Sequence, residues 1–402
     1  MKLTSQPLLA QFCNLLQTEL FPILEASVGA LSKPAKLLAS VVSMIPVSQY
    51  VGLGDRQLGR PQHDRQALAT AFFAKAVYNL TTTRQLIERL HSDAQFRRLC
   101  GWDTAAQVPT ESTFSRAFQQ FAAAQMPQSM HQALIQKTQS KRVIQHIARD
   151  STAIEPRERL PEDREKARAK KNAAAAGTPA PDAKPFAPAV KKKSKVAKNQ
   201  PQRRGHKGGP HQRSKARERG KRIQRQQHMK LSEMLADLPQ ECSLTAKMSS
   251  KGHKQYWRGY KLHWDVADGG RIPISCILTG AVVHDSQVAI PLMTMSAERV
   301  RWRYDVMDAA YDAGGIRSRS KELKHEAIIQ PVQRHNQKAK RELNDEQKQH
   351  FKTRTIVEQL NGRLKDEFGG RIIYVRGAAK IMAHLMFGVV ALTVDQLLRL
   401  ST

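Results

Sequence analysis

Acids, cysteines and aromatics are all scarce in this 402-residue sequence. Only 35 Asp+Glu stand against 66 Lys+Arg, a formal net charge of +31. Such a deficit of acid argues for a polyanionic partner, either nucleic acid or an anionic membrane surface. A basic accessory protein without catalysis fits the charge equally well. The four cysteines (Cys13, Cys100, Cys242 and Cys276) lie far apart with no C-x-x-C. This spacing excludes a zinc ribbon and a disulfide framework and fits reduced cytosolic thiols. A long clean apolar run is missing too. The first twenty residues mix polar side chains into their apolar stretch and offer no signal-peptide core. Ile381 to Leu400 is the most membrane-like segment, but His384, Asp395 and Arg399 interrupt it, so a packed helix is expected rather than a membrane span. What the chain does have is 40% hydrophobic residues, enough to build a core across two or three domains.

Residues 1 to about 140 read as a helical domain. LATAFFAKAVYNLTTTRQLIERL carries apolar residues at helical spacing, with Thr82 or Thr83 as a cap before the second helix. PTESTFSRAFQQFAAA offers Thr110 or Ser112 as a cap and puts Phe114, Phe118 and Phe121 on one stripe. A helix-turn-helix DNA reader presenting Ser115 and Arg116 and a plain helical bundle share this pattern. From residue 141 the period changes, and VIQHIARD reads as a short β-branched strand ending in Asp150. Residues 155–225 are Ala/Pro/Lys/Arg-rich, with 23 Lys+Arg against 7 Asp+Glu. That stretch is expected to be disordered or ordered only by DNA, as an insertion or a solvated linker. WRGYKLHWDVADGGRIPISCILTGAVV then reads as a hairpin turning at Asp268-Gly269-Gly270. A helix capped by Asp285 or Ser286 follows, then a strand RYDVMD, a helix over Arg317 to Lys324, a strand AIIQPV and a long helical region from about Asp345. The order predicts an α/β sheet with helical cover, compatible with an RNase H-like core.

Asp150 and Asp308 each fall at the end of a short hydrophobic strand. If those strands pair, the carboxylates lie roughly 5 Å apart. Two acids that close repel unless cations bridge them, which suits shared ligands of Mg²⁺. For either Asp alone, a helix cap or turn residue explains the same position. Phe351, Arg354, Glu358 and Lys365 fall within about 60° of one another on a helix, with Gly362 on the same stripe. Ile356, Val357, Leu360, Leu364 and Phe368 form the opposite, packing face. A solvated salt-bridged face would present the same acid between two cations.

The stretch Phe351 to Lys365, F-x2-R-x3-E-x6-K, resembles the Y-x2-R-x3-E-x6-K signature of DDE transposases from bacterial insertion sequences, with Phe for Tyr. Asp150 stands in D-S-T and Asp308 in D-A-A-Y-D, similar to that family's first two catalytic acids. GYKLH at 259–263, HDS at 284–286 and the N-terminal run through PTESTFSR are also similar. The resemblance implies that Asp150, Asp308 and Glu358 are the catalytic acids and hold two Mg²⁺ ions, with Mn²⁺ as substitute. One ion would activate a water or a DNA 3′-hydroxyl and the other would stabilise the leaving oxygen. It further implies DNA contacts by Phe351, Arg354, Arg363, Lys365 and Lys261, with double-stranded DNA (terminal inverted repeats and target) as substrate. A homodimer or larger synaptic complex, a cytoplasmic, nucleoid-associated location and no membrane partner follow. The domains expected are 1–140, helical and a candidate for binding DNA ends, and 141–402, the catalytic domain interrupted by the 155–225 insertion. Asp312, just past Tyr311, lies beyond the strand end and is set aside in favour of Asp308. His284 and Asp285 match the family without an assigned role, Asp285 reading best as a helix cap. The rival functions are an RNase H-type nuclease without strand transfer and a noncatalytic DNA-binding descendant of a transposase.

Overall fold

The computed structural model describes residues 6–51, 63–163, 165, 210–248, 252–332 and 342–401. The N-terminal region is helical, with α1 (Gln6–Leu15), α2 (Phe21–Val28), α3 (Lys33–Met44), α4 (Arg65–Val77), α5 (Thr83–Ser92), α6 (Ala94–Leu99), α7 (Glu111–Ala123) and α8 (Met126–Gln139). Local chemistry sets its boundaries. Asp64 caps α4 through Gln66 and Ala67 N–H, and Thr82 forms a reciprocal capping box with Gln85 on α5. Thr110 takes the cap position of α7. Phe114, Phe118 and Phe121 are buried as one stripe, while Ser115 and Arg116 stay exposed. No disulfide joins cysteines among the described residues.

The rest is α/β. Its strands are β1 (Val143–Ile154), β2 (Ser243–Met248), β3 (Lys254–Ala267), β4 (Ile272–Gly280), β5 (Arg301–Met307) and β6 (Glu326–Ile329). They form one sheet in the order β2-β3-β1-β5-β6, with β4 also paired to β3. β1 and β3 are antiparallel, as are β3 and β4, whereas β1, β5 and β6 run parallel. The helices are α9 (Pro210–Gln226), α10 (Leu231–Asp237), α11 (Ala289–Ala297), α12 (Gly314–Glu322), α13 (Asp345–Phe351), α14 (Thr355–Glu367) and α15 (Ala378–Ser401). One core unites the N-terminal helices, α14, α15 and the Leu262/Trp264 side of the sheet. A second core, with Met307, Tyr311 and Ile329, gathers side chains from α9 to α12.

Several expectations need correction. β1 does not end at Asp150: Ser151 to Ile154 continue the ladder opposite His263 to Tyr260, and Thr152 and Ile154 are buried. The long helix from Asp345 is tightened at 352–354 into a 3₁₀ turn between α13 and α14. The basic insertion is not structureless at either end. Glu158 is buried and accepts from Tyr260 Oη (3.1 Å) and Gly377 N (2.9 Å). At the far end α9 buries Ile223 in the second core, and Arg222 pairs with Asp237 at 2.8 Å. Residues 166–209 of the insertion lie outside the described residues. β2 and α10 were not foreseen. Gly259 shows why the GYKLH segment begins as it does: at φ +146° a Cβ there would lie 2.1 Å from the Ile154 carbonyl oxygen. The apolar α15 is long enough to cross a membrane, but 78% of its most apolar window is buried. It lies against α1, α3, α4, α7, α8, α14 and β4, so its apolar surface is spent on the core.

Candidate active site

The site begins where two parallel strands part. β1 and β5 pair from Val143↔Arg301 to Arg149↔Met307, and there β5 ends while β1 runs on. Asp150 and Asp308 are the next residue on each strand. They therefore sit side by side at the mouth of a notch whose far wall is β1 itself. Beneath it, the buried Arg149 binds Asp265 (2.7 Å) and Asp305 (3.4 Å), tying β3, β1 and β5 at one level. Above it, Trp264, the cross-strand partner of Asp150, donates Nε1–H to Asn361 Oδ1 at 3.0 Å. That bond fixes α14 across the sheet next to Asp150, and Val357, Leu360 and Leu364 bury its underside completely.

Asp150 has a side chain 16% exposed. Burial lifts its carboxyl to about 6; the Ser151 N–H and Arg354 oppose the rise, and Asp308 and Asp285 add to it. Asp308 is also raised, first by burial and then against the Ala310 N–H and Arg354, with Asp285 pushing the same way. Its Oδ1 accepts from Ala310 N at 2.9 Å, so it does cap the 3₁₀ turn 309–311. Arg354 Nη1 lies 3.0 Å from Glu358 Oε1, and its Nη2 lies 3.7 Å from Asp150 Oδ2. Glu358 is 53% exposed. The arginine thus spans the first and third expected acids.

The other expected contacts divide. Lys365, half-buried on α14, has its ammonium pKa lowered by burial first and then by Arg371. Phe351 closes α13, partly buried. Lys261 lies inside the notch, with Nζ 3.0 Å from Asp285 Oδ1 and 3.1 Å from the Val283 oxygen. Arg363 shares its guanidinium between Glu367 and Asp395 (2.9 Å) and so links α14 to α15. Asp312 holds Arg317 at 3.0 Å and accepts from Val332 N at 3.1 Å, a brace behind the strand end. Asp285 is a correction. His284 caps the 3₁₀ turn 285–287, whereas Asp285 turns into the notch toward Ser151, Lys261 and His263. Burial would raise Asp285, but His263, Lys261 and Ser151 outweigh it and its pKa is lowered. No sequence signal beyond the HDS match separated these two roles.

The donor set fits a hard divalent cation in kind: carboxylate oxygens, two of them raised above their ordinary pKa by burial, with Asp285 adding to the rise. Among the described residues no three such groups already converge on one ion. An ion here would require Arg354 to leave its acids and Glu358 to turn inward.

Residues 240–394 match the model described as Transposase DDE domain, and residues 26–120 match Transposase domain (DUF772). No curated protein and no solved structure matches the chain. The two matched stretches cover the N-terminal helices from α3 to α7 and the sheet from β2 through most of α15, and between them exceed half of the sequence. A notch of paired acids beside α14 thus lies within a chain that carries the transposase DDE domain and the DUF772 transposase domain, both typical of bacterial insertion-sequence transposases.

Proposed function

We propose that the chain cleaves DNA at the ends of an insertion sequence and joins the freed 3′-hydroxyl to target DNA, using Asp150, Asp308 and Glu358. The observation that carries this is the shared level of Asp150 and Asp308 at the parting of β1 and β5, with Arg354 linking Asp150 to Glu358 above them. The strand order supports an RNase H-like reading of the core: three antiparallel strands (β4, β3, β1) continued by two parallel ones (β5, β6). Two Mg²⁺ ions, with Mn²⁺ as substitute, supply activation of the attacking oxygen and neutralisation of the leaving one. The chain's own residues do the rest. Asp150 and Asp308, anchored at the sheet, would hold the cations. Glu358 closes the set from α14. Arg354, in the turn that leads into α14, and Lys365, on α14, take the DNA phosphates flanking the cut and align it for in-line attack.

The helical region 1–140 is read as the binder of the transposon ends, with Ser115 and Arg116 exposed on α7. The basic insertion adds sequence-independent affinity. Two ends must be held together, so the working species is a homodimer or larger complex on DNA, located in the cytoplasm with the nucleoid. Incubating the protein with Mg²⁺ and duplexes bearing the element's terminal repeats tests the reading. Strand-transfer products are expected. Hydrolysis alone would mean a nuclease without joining, and neither product a noncatalytic DNA binder.

A further inference from the structure

The notch holds one more acid than the reaction assigns. The turn 285–287 packs against the turn 309–311 that follows Asp308. Ser151 Oγ donates to Asp285 Oδ1 at 3.0 Å, Lys261 Nζ reaches the same oxygen at 3.0 Å, and His263 Nδ1 stands 3.7 Å from it. All three land on Oδ1, leaving Oδ2 unengaged by them. His263 is itself fixed from behind, its Nε2 bonded to Thr279 Oγ1 at 2.9 Å. This is a carboxylate held in one orientation by two hydrogen bonds, with His263 beside it, at a wall of the site.

A second observation points at the same space. Tyr311 is 1% exposed, and its hydroxyl has no hydrogen-bond partner among the described residues. The charges acting on it are those of Asp285, Asp150 and Asp308, opposed by Arg149. An orphaned buried hydroxyl is costly, and a ligand oxygen arriving between those acids would satisfy it. Charge counting agrees. Among the described residues, Asp150, Asp285, Asp308 and Glu358 are set against Lys261 and Arg354, with the His263 imidazole, its pKa lowered by burial, beside Asp285. The uncompensated charge is that of one divalent ion, and a second ion requires the two cations to give up their acids.

We propose that Asp285 is a fourth, cation-facing carboxylate of this site and that Lys261 is its counter-charge in the cation-free protein, released toward DNA phosphate when divalent ions bind. This rests on the reading of Asp150 and Asp308 as cation-binding acids. The test is Mn²⁺ binding to the full chain without DNA, followed by electron paramagnetic resonance, for wild type and for Asp285→Asn, Lys261→Met and Asp308→Asn. Asp285→Asn keeps the shape and an acceptor for Ser151, and is expected to weaken binding on the order of ten- to a hundredfold. Lys261→Met removes a cation that competes with Mn²⁺, and is expected to tighten binding about tenfold. A merely structural pair would instead leave Mn²⁺ affinity unchanged and lower the melting temperature in both variants. If Asp308→Asn weakens binding while Asp285→Asn does not, or if Lys261→Met fails to tighten it, this assignment is wrong. If Asp308→Asn has no effect either, the cation site itself is wrong.

Discussion

At the scale of single residues, the site trades stability for charge. Asp150 is ordinary in the unfolded chain and titrates near 6 in the fold. A carboxyl raised in this way contributes no penalty below about pH 4, where both states are protonated. Its cost grows as pH climbs through 6, to about 3 kcal/mol at most. Asp150→Asn cannot ionise, so without divalent ions it should melt above wild type at pH 7.5, and by more than at pH 4.5. Thermal melts in chelator at the two pH values check this; a constant gap would mean that burial of Asp150 is not the cause. The same variant should lose DNA cleavage. Asp308→Ala should also abolish cleavage while DNA binding persists, whereas Asp312→Ala should cost stability through Arg317 and Val332 and leave measurable strand transfer. Comparing both variants in cleavage and binding assays decides which acid works. That Asp308 follows a strand directly while Asp312 lies beyond its end could be read from RYDVMD. The sequence could not show Arg149 bridging three strands or Asp285 facing the notch, because those roles depend on partners more than a hundred residues away.

At the scale of elements, α14 does two jobs on two faces. Leu364 is fully buried against α15, while Lys365 beside it is half-buried toward Arg371. Leu364→Ala should therefore cost about 2–5 kcal/mol in chemical denaturation. Lys365→Ala should leave stability nearly unchanged and slow single-turnover cleavage of a terminal-repeat duplex by on the order of a hundredfold. A rate within about twofold of wild type would reduce Lys365 to a surface cation. The periodicity of this helix was legible, packed stripe and polar stripe both. Its 3₁₀ tightening at 352–354 was not, since nothing in K-T-R breaks a helix and the cause lies in contacts with β1 and β5.

Composition did not reveal the fold of the basic insertion's two ends. Those ends carry Glu158 and Ile223, single residues whose burial no window average reveals. Removing 166–209, which holds thirteen Lys+Arg and one acid, should spare both anchors. Log-affinity against log-salt should then flatten, because fewer counterions are released, while preference for terminal repeats survives. An unchanged slope would make the stretch a spacer.

At the scale of the whole molecule, α15 is the common support. Phe387 on α15 meets Phe72 and Phe73 of α4 at 5.7 and 4.9 Å between ring centres, and Phe118 of α7 at 6.3 Å. Its neighbours Val389 and Val390 are fully buried. The helical region and the sheet thus share one core and should unfold together. Phe387→Ala should cost about 3–5 kcal/mol and shift the loss of N-terminal helix and of sheet by the same amount, read by hydrogen exchange across both. Separate transitions would show two independent halves. The apolar run of α15 was legible as a packed helix; which surfaces it joins was not, because amphipathic pattern names a face but never its partner.

Arg354 has a further consequence. One guanidinium serves both Asp150 and Glu358 in the cation-free protein, and the proposed reaction asks the same group to serve a DNA phosphate. An arginine cannot do both, so the two ligands of the enzyme are thermodynamically linked. On the proposed reading, divalent ions taking over the acids would set the arginine free and make DNA bind more tightly. By reciprocity DNA tightens the ions by the same factor. A transposase built this way is poorly armed when either ligand is alone, and becomes competent cooperatively when both are present.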